Sequence, residues 1–228
     1  MEQELRNSKL SNLHEWLNSN VSGYVGLYEA GSTTAGDPWV ESRSDRDITI
    51  VLADISRKVE QEVQQYLSEA DFDDTYLFIM FAKEHFLATH SDQDISMKFR
   101  GQTLYGEDLV SVKEIPAQEF AGTVAQKELL SMPRKFRTRL LNSGYWSIEH
   151  LRGKLYPEFK RLFMYLADLY YAETGKYPRR RLDVANVFSS KELLKIADTI
   201  ASIDKMSKKD LIIATELAIV FLKTKGYK

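Results

Sequence analysis

Leu10, Leu13 and Leu17, with His14 beside them, recur at helical spacing and predict a first helix over Glu4–Leu17. After Gly23 the pattern changes, and Tyr24–Tyr28 reads as a short buried strand. From Gly31 to Ser44 Gly, Ser, Thr, Asp and Pro dominate, which predicts a loop. Asp47–Ala53 (DITIVLA) is β-branched and apolar, the clearest strand pattern in the chain. Ser56 stands where its hydroxyl can cap a helix running to Leu67. Thr75–Phe81 (TYLFIMF) is uninterrupted in its apolar character, and so predicts a strand buried on both faces.

Beyond Pro116 the strand patterns give way to long helical ones, over about 117–141, 147–173 and 190–225, the last broken near Asp204. Ser207-Lys208-Lys209-Asp210 resembles a capping box that opens the final helix. The expected fold is α+β: a small mixed-sheet domain over residues 1–115, followed by an all-α helical bundle over 116–228. No internal repeat interrupts this division.

Composition narrows the function. The 31 basic and 33 acidic residues give a net charge of -2, so general DNA binding is not expected. Cysteine is absent, which removes disulfides, thiolate zinc sites and cysteine nucleophiles from consideration. The N-terminal MEQELRNSKLSNLHEW lacks the apolar core of a signal peptide, and no apolar run is long enough to span a bilayer. A cytoplasmic protein without membrane association is the expectation.

The candidate chemistry lies at the first two strands. Asp45 and Asp47 are separated by one residue at the start of a strong strand, so both carboxylates project from one face and can share a cation. Magnesium takes such oxygen ligands while keeping room for water and phosphate oxygens. Upstream, the strand Tyr24–Tyr28 delivers Gly31-Ser32 into a turn, where glycine permits close backbone approach and amides with a hydroxyl can hold phosphate. A phosphate holder beside a magnesium holder makes a phosphoryl- or nucleotidyl-transfer site.

These residues give the sequence its resemblance to the DNA polymerase β-like nucleotidyltransferase superfamily. The matching positions are Ala30-Gly31-Ser32, Gly36 and Ser44-Asp45-Arg46-Asp47-Ile48-Thr49-Ile50-Val51. Gly101–Gly106 is similar to a glycine–leucine–tyrosine–glycine segment near the end of the small bacterial catalytic domain. The helical half looks like the partner domain of aminoglycoside nucleotidyltransferases, with Thr174–Pro178 in a similar interhelical turn. The motif-level likeness covers roughly residues 20–110. It implies that Gly31, Ser32 and Ser44 bind a nucleoside triphosphate co-substrate and that Asp45 and Asp47 bind Mg2+, with room for a two-metal site. It also implies transfer of a nucleoside monophosphate to a hydroxyl acceptor, aminoglycoside-like small molecules being the first class to test.

The resemblance is incomplete. The family usually supplies a third carboxylate from a later strand, and that position falls near Leu77, where no acid occurs between Thr75 and Phe81. Asp74 is the substitute, provided that the strand begins earlier or shifts register. Arg46 replaces the apolar residue usual between the paired acids and is expected on the opposite strand face. The loop Thr33–Arg43 carries Asp37-Pro38-Trp39, with Trp39 read as a packed loop aromatic.

Other polar residues carry weaker signals. His14, His85, His90 and His150 show no metal-ligand spacing. Lys98 and Arg100, and the basic clusters Arg134–Arg139 and Arg179–Arg181, fit solvated or ion-paired faces, or phosphate contacts if they line a cleft. Glu128, Glu149 and Glu158 are open candidates for a cationic acceptor or a base. Two alternatives remain: a catalytically weak or inactive nucleotide-binding or interaction module, and a modifier of a protein or RNA partner. The helical half carries no Arg-x4-His arrangement of the kind found in helical ribonuclease toxins.

Overall fold

The computed structural model describes residues 2–40, 43–88 and 91–227, with the side chains of 2–7, 32 and 33 outside the description. The fold is α+β, with a four-stranded mixed sheet and a C-terminal helical region. The chain divides into two compact units, Met1–Thr34 with Asp45–Ile115, and Ala35–Ser44 with Pro116–Lys228. The short segment Ala35–Ser44 thus leaves the first unit and returns to it.

The first unit runs α1 (Glu2–Asn20), β1 (Tyr24–Ala30), α2 (Ser32–Ala35, whose last residue opens the excursion), β2 (Arg46–Leu52), α3 (Arg57–Glu69) and β3 (Tyr76–Ala82). It continues through α4 (Lys83–Leu87), α5 (Asp92–Arg100), β4 (Gln102–Gly106) and α6 (Leu109–Val112). Strand order is β3-β2-β1-β4. β1 pairs antiparallel with β2 and β4, and β2 pairs parallel with β3. Leu10, Leu13 and Leu17 of α1 and Val63 of α3 share a core with Leu27, Ile48, Ile50 and Leu52 on one sheet face. On the other face Tyr28, Ala30 and Val51 pack with Phe86, Met97 and Leu109. Each such fully buried side chain contributes about 1.5–3 kcal/mol of gross stabilisation.

The third strand departs from expectation. TYLFIMF is not buried on both faces: only Tyr76 is fully buried, and Leu77 is 49% exposed. The physical reason is its place in the sheet, because β3 is an edge strand with a neighbour on one side alone. The opposite edge is β4, which the apolar pattern did not mark. Gly106 at its end has φ 88 and lies so close to β1 that a Cβ there would stand 2.2 Å from the Val25 carbonyl oxygen. Only glycine fits that approach.

Local signals for helix ends hold well. Ser56 accepts from the Val59 amide at 3.3 Å, and Ser207 with Asp210 forms the reciprocal capping box. The second unit comprises α7 (Gln118–Ser143), α8 (Ile148–Thr174), α9 (Arg181–Val187), α10 (Lys191–Ala201), a 3-10 turn (Ile203–Lys205) and α11 (Lys208–Thr224). Its core is drawn from every helix, including Leu129, Phe136, Phe159, Leu166, Val184, Ile196, Leu211 and Leu222. Pro133 and Pro157 lie inside α7 and α8 without ending them. Proline in a helix interior costs about 3 kcal/mol, which the packing around these long helices offsets. Among the described residues, no helix is long and apolar enough to cross a membrane.

Two core tyrosines make stability pH-dependent. Burial, reinforced by Tyr28 and Tyr105, raises the Tyr24 phenol well above its ordinary 10.0; burial and Glu107 do the same for Tyr28. Tyr24 is bonded to His14 Nδ1 at 2.8 Å, and Tyr28 donates to the Glu107 carbonyl at 2.7 Å. A raised folded pKa means that the unfolded chain releases these protons first. Their stabilisation is therefore complete below pH 10 and is lost as pH climbs above it. Thermal melts of the wild type should show a falling midpoint above about pH 10, and Tyr24→Phe/Tyr28→Phe should flatten that fall. An unchanged slope in the double variant would assign the alkaline loss to other groups.

Candidate functional site

The end of β1 and the beginning of β2 lie side by side, with Ala30 opposite Asp47. Gly31 follows directly and adopts φ 118, a conformation open to glycine and strained for other residues. A Cβ built on Gly31 would stand 3.4 Å from Asp47 Oδ2 and 4.0 Å from the Asp45 carbonyl oxygen. The turn therefore brings its backbone against the first carboxylate of the strand. The chain then enters the short helix α2, where Thr34 Oγ1 donates to the Gly31 carbonyl at 3.1 Å. The Ser32 side chain lies outside the described residues.

Asp47 shares strand parity with Thr49 and Val51, so it stands on the face covered further along by Phe86 and Met97. Asp45 precedes the strand by one residue and has the same parity. Both are partly buried, as is Gly31. The Asp47 carboxylate, a hard oxygen donor, thus stands beside a close-approach backbone turn, with Asp45 two residues upstream.

The parallel pairing places Leu77 opposite Asp47. Directly paired residues share a face, so the half-exposed Leu77 side chain stands beside Asp47 on the neighbouring strand. Asp74 lies in the turn before β3 and is exposed. β3 begins at Tyr76, paired with Arg46, so the strand does not start early enough to include Asp74. Among the described residues, no group of three or more His, Asp or Glu could hold a metal ion.

Arg46 projects to the opposite face, as its parity requires. It meets Glu29 of β1, with Nε to Oε1 at 2.6 Å and a second nitrogen to Oε2 at 3.0 Å, both partners buried. Gln102 of β4 donates to the same carboxylate at 3.0 Å, and the guanidinium lies over the Tyr76 ring, 5.5 Å from its centroid. Burial opposes the Arg46 charge, but hydrogen bonding and attraction from Glu29 outweigh it and raise its pKa. One polar cluster thus ties all four strands together directly behind the paired aspartates. Sequence reading missed Glu29, although a lone acid in the apolar run YVGLYEA is a visible signal that it has a partner.

Ser44 is buried in the second unit. Its Oγ accepts from the Val40 amide at 2.9 Å and is bonded to the Tyr156 hydroxyl at 2.9 Å. The three acidic candidates in that unit are ion-paired. Glu128 pairs with Lys135 at 3.3 Å, Glu149 with Arg43 at 2.7 Å, and Glu158 with Arg139 at 3.0 Å. Arg180 pairs with Asp183 at 2.7 Å and Arg181 with Asp37 at 3.2 Å, while Arg134 and Arg137 are exposed. In the first unit Lys98 donates to the carbonyls of Val110 and Ser111. Trp39 is half-buried, and His90 lies outside the described residues.

No model of a known protein family matches this sequence, and no curated protein matches it.

Proposed function

We propose that Gly31, Ser32, Asp45 and Asp47 bind a magnesium-complexed nucleoside triphosphate, and that the protein transfers its nucleoside monophosphate to a hydroxyl acceptor. The observation that carries this reading is the approach of the Gly31 turn to the Asp47 carboxylate across paired strands. The donor set fits the group: two carboxylates of one parity suit one hard cation that retains open positions for water and phosphate. When bound, that cation would neutralise phosphate charge and lower the pKa of an attacking oxygen. The Gly31 turn lets the triphosphate oxygens approach the backbone closely, and the two aspartates fix where the cation and its phosphates stand. In the overall reaction the acceptor hydroxyl oxygen forms a bond to the α-phosphorus and gives up its proton to solvent, the bond to the bridging oxygen breaks, and pyrophosphate leaves with the electron pair. Aminoglycoside-like polyols are the first acceptors to screen.

Leu77 favours a second reading. With an exposed apolar side chain opposite Asp47, the site binds nucleotide and turns it over slowly or not at all.

Calorimetric titration of ATP and GTP, with and without magnesium, tests the binding step. The wild type should show magnesium-dependent affinity that Asp45→Asn/Asp47→Asn weakens at least about tenfold, the scale of losing charged ligand contacts. The folded double variant binding as tightly as wild type would overturn the assignment.

A further inference from the structure

Helix α7 turns Leu129, Met132 and Phe136 into the core of the helical unit. A second face of the same helix is open to solvent and carries a pattern of its own. Leu130, Arg134, Arg137 and Leu141 follow one another at i+4 and i+3 steps, which sets them in one narrow stripe. Leu130 is 57% exposed and Leu141 81%, and Tyr145, one turn further and just past the helix end, is 76% exposed. The two arginines between the leucines are exposed, and among the described residues neither forms an ion pair, whereas their neighbours Lys135 and Arg139 pair with Glu128 and Glu158. Glu128, the one acid of α7 beyond Gln126, is thus engaged off the stripe. A single exposed leucine needs no explanation. Two leucines and a tyrosine in line, with two unmatched arginines among them, make a patch that is both apolar and cationic.

We propose that this stripe of α7 docks an acidic amphipathic helix of a protein partner, the leucines and Tyr145 meeting apolar side chains and the two arginines meeting carboxylates. Charge selects this occupant. In a two-fold contact the same patch serves both subunits. Antiparallel copies of the stripe would set Arg134 against Arg137, and parallel copies would set each arginine against its own counterpart. Like charges across an interface oppose association, so a second copy of the chain fits poorly. A nucleic-acid backbone would match the arginines but leave the leucines at both ends of the stripe in water. A partner helix with carboxylates at its middle and apolar residues a turn to either side matches both sets at once, because it repeats with the same rise. Arginine favours such a partner further, since its planar fork fits a carboxylate. Leu130 to Leu141 spans about 16 Å, so a partner segment of roughly three to four turns covers the stripe. So small a contact gives a transient complex, of micromolar rather than nanomolar affinity. The proposal does not draw on the nucleotide reading.

The probe is a synthetic helical peptide of about five turns, long enough to hold its helix, with leucines at helical spacing on one face and glutamates between them. Its charge-reversed twin carries lysines in place of the glutamates. Binding to the full chain is read by fluorescence anisotropy at low and high salt, beside sedimentation of the protein alone and titration with single-stranded RNA. The wild type should bind the acidic peptide with micromolar affinity, more weakly as salt rises, and should ignore the twin. Leu130→Ala/Leu141→Ala should weaken binding about tenfold, the scale of truncating apolar anchors. Arg134→Glu/Arg137→Glu should lose the acidic peptide and gain the lysine twin, a reversal that a misfolded variant cannot give. All four positions are exposed, so both variants should melt close to the wild type. Failure to bind the acidic peptide, or equal binding of the two peptides, would overturn the proposal. So would wild-type self-association that the leucine variant abolishes, which would make the occupant a second copy. RNA binding that depends on the arginines and not the leucines, in place of peptide binding, would overturn it in favour of a polyanion site.

Discussion

Leu77→Asp or Leu77→Glu should raise magnesium-dependent pyrophosphate release by about 100-fold, the lower range of what a positioned acid or base contributes. The side chain at this position stands opposite Asp47 on the adjacent parallel strand and is 49% exposed, so it contributes little to the core. Replacing it with a carboxylate should therefore cost less than about 1 kcal/mol, as surface substitutions do. Three carboxylates close together repel one another, and this destabilises the metal-free protein slightly. A bound divalent cation reverses the sign, so the variant should gain more melting temperature from magnesium than the wild type does. The two readouts separate the two readings of the site. Greater magnesium stabilisation with faster release means that nucleotidyl transfer in the wild type is limited by the missing ligand. Greater stabilisation without release means that the site holds metal and nucleotide but lacks an acceptor pocket or a base elsewhere. No change in either would remove Leu77 from the site and weaken the case for metal at Asp47.

That position shows where sequence reading reaches its limit. The β-branched run of β2 and the caps at Ser56 and Ser207 were legible because their causes are local: side-chain shape on a pleated strand, or a hydroxyl next to free helix amides. Whether TYLFIMF is central or at an edge is decided by which strands flank it, and nothing within the seven residues records that. The same holds for Pro133 and Pro157, whose local cost is outweighed by helices distant in sequence. At the candidate site the glycine and the two aspartates were legible because they form one short ordered pattern. The partners of Asp37 and Ser44 were not, since Asp37 meets Arg181 across 144 residues and Ser44 meets Tyr156 across 112. Arg46 occupies an intermediate case. Its parity told that it faces away from the aspartates, but only strand pairing reveals Glu29 as its partner.

That buried pair gives the largest expected effect on stability. Glu29→Leu alone should destabilise the sheet unit by about 3–5 kcal/mol, because it leaves the buried Arg46 guanidinium without its carboxylate. For a chain of this size that corresponds to a fall in melting temperature of roughly 10 °C. Arg46→Leu alone should cost a similar amount by leaving the buried Glu29 carboxylate without its guanidinium. The double variant should be markedly more stable than either single one, since a buried ion pair replaced by apolar side chains of similar size is often neutral. A double-mutant cycle read from denaturant unfolding measures that coupling, and additive losses would show that the pair does not act as a unit. The cycle also bears on function. Arg46 lies between Asp45 and Asp47, so an unpaired guanidinium that seeks solvent would twist the start of β2 and turn the two carboxylates out of register. Each single variant should therefore lose magnesium–ATP affinity beyond what its loss of folded protein explains, while the apolar double variant should retain it. The ion pair would then act as a register device, holding the strand so that the Asp47 carboxylate faces the Gly31 turn.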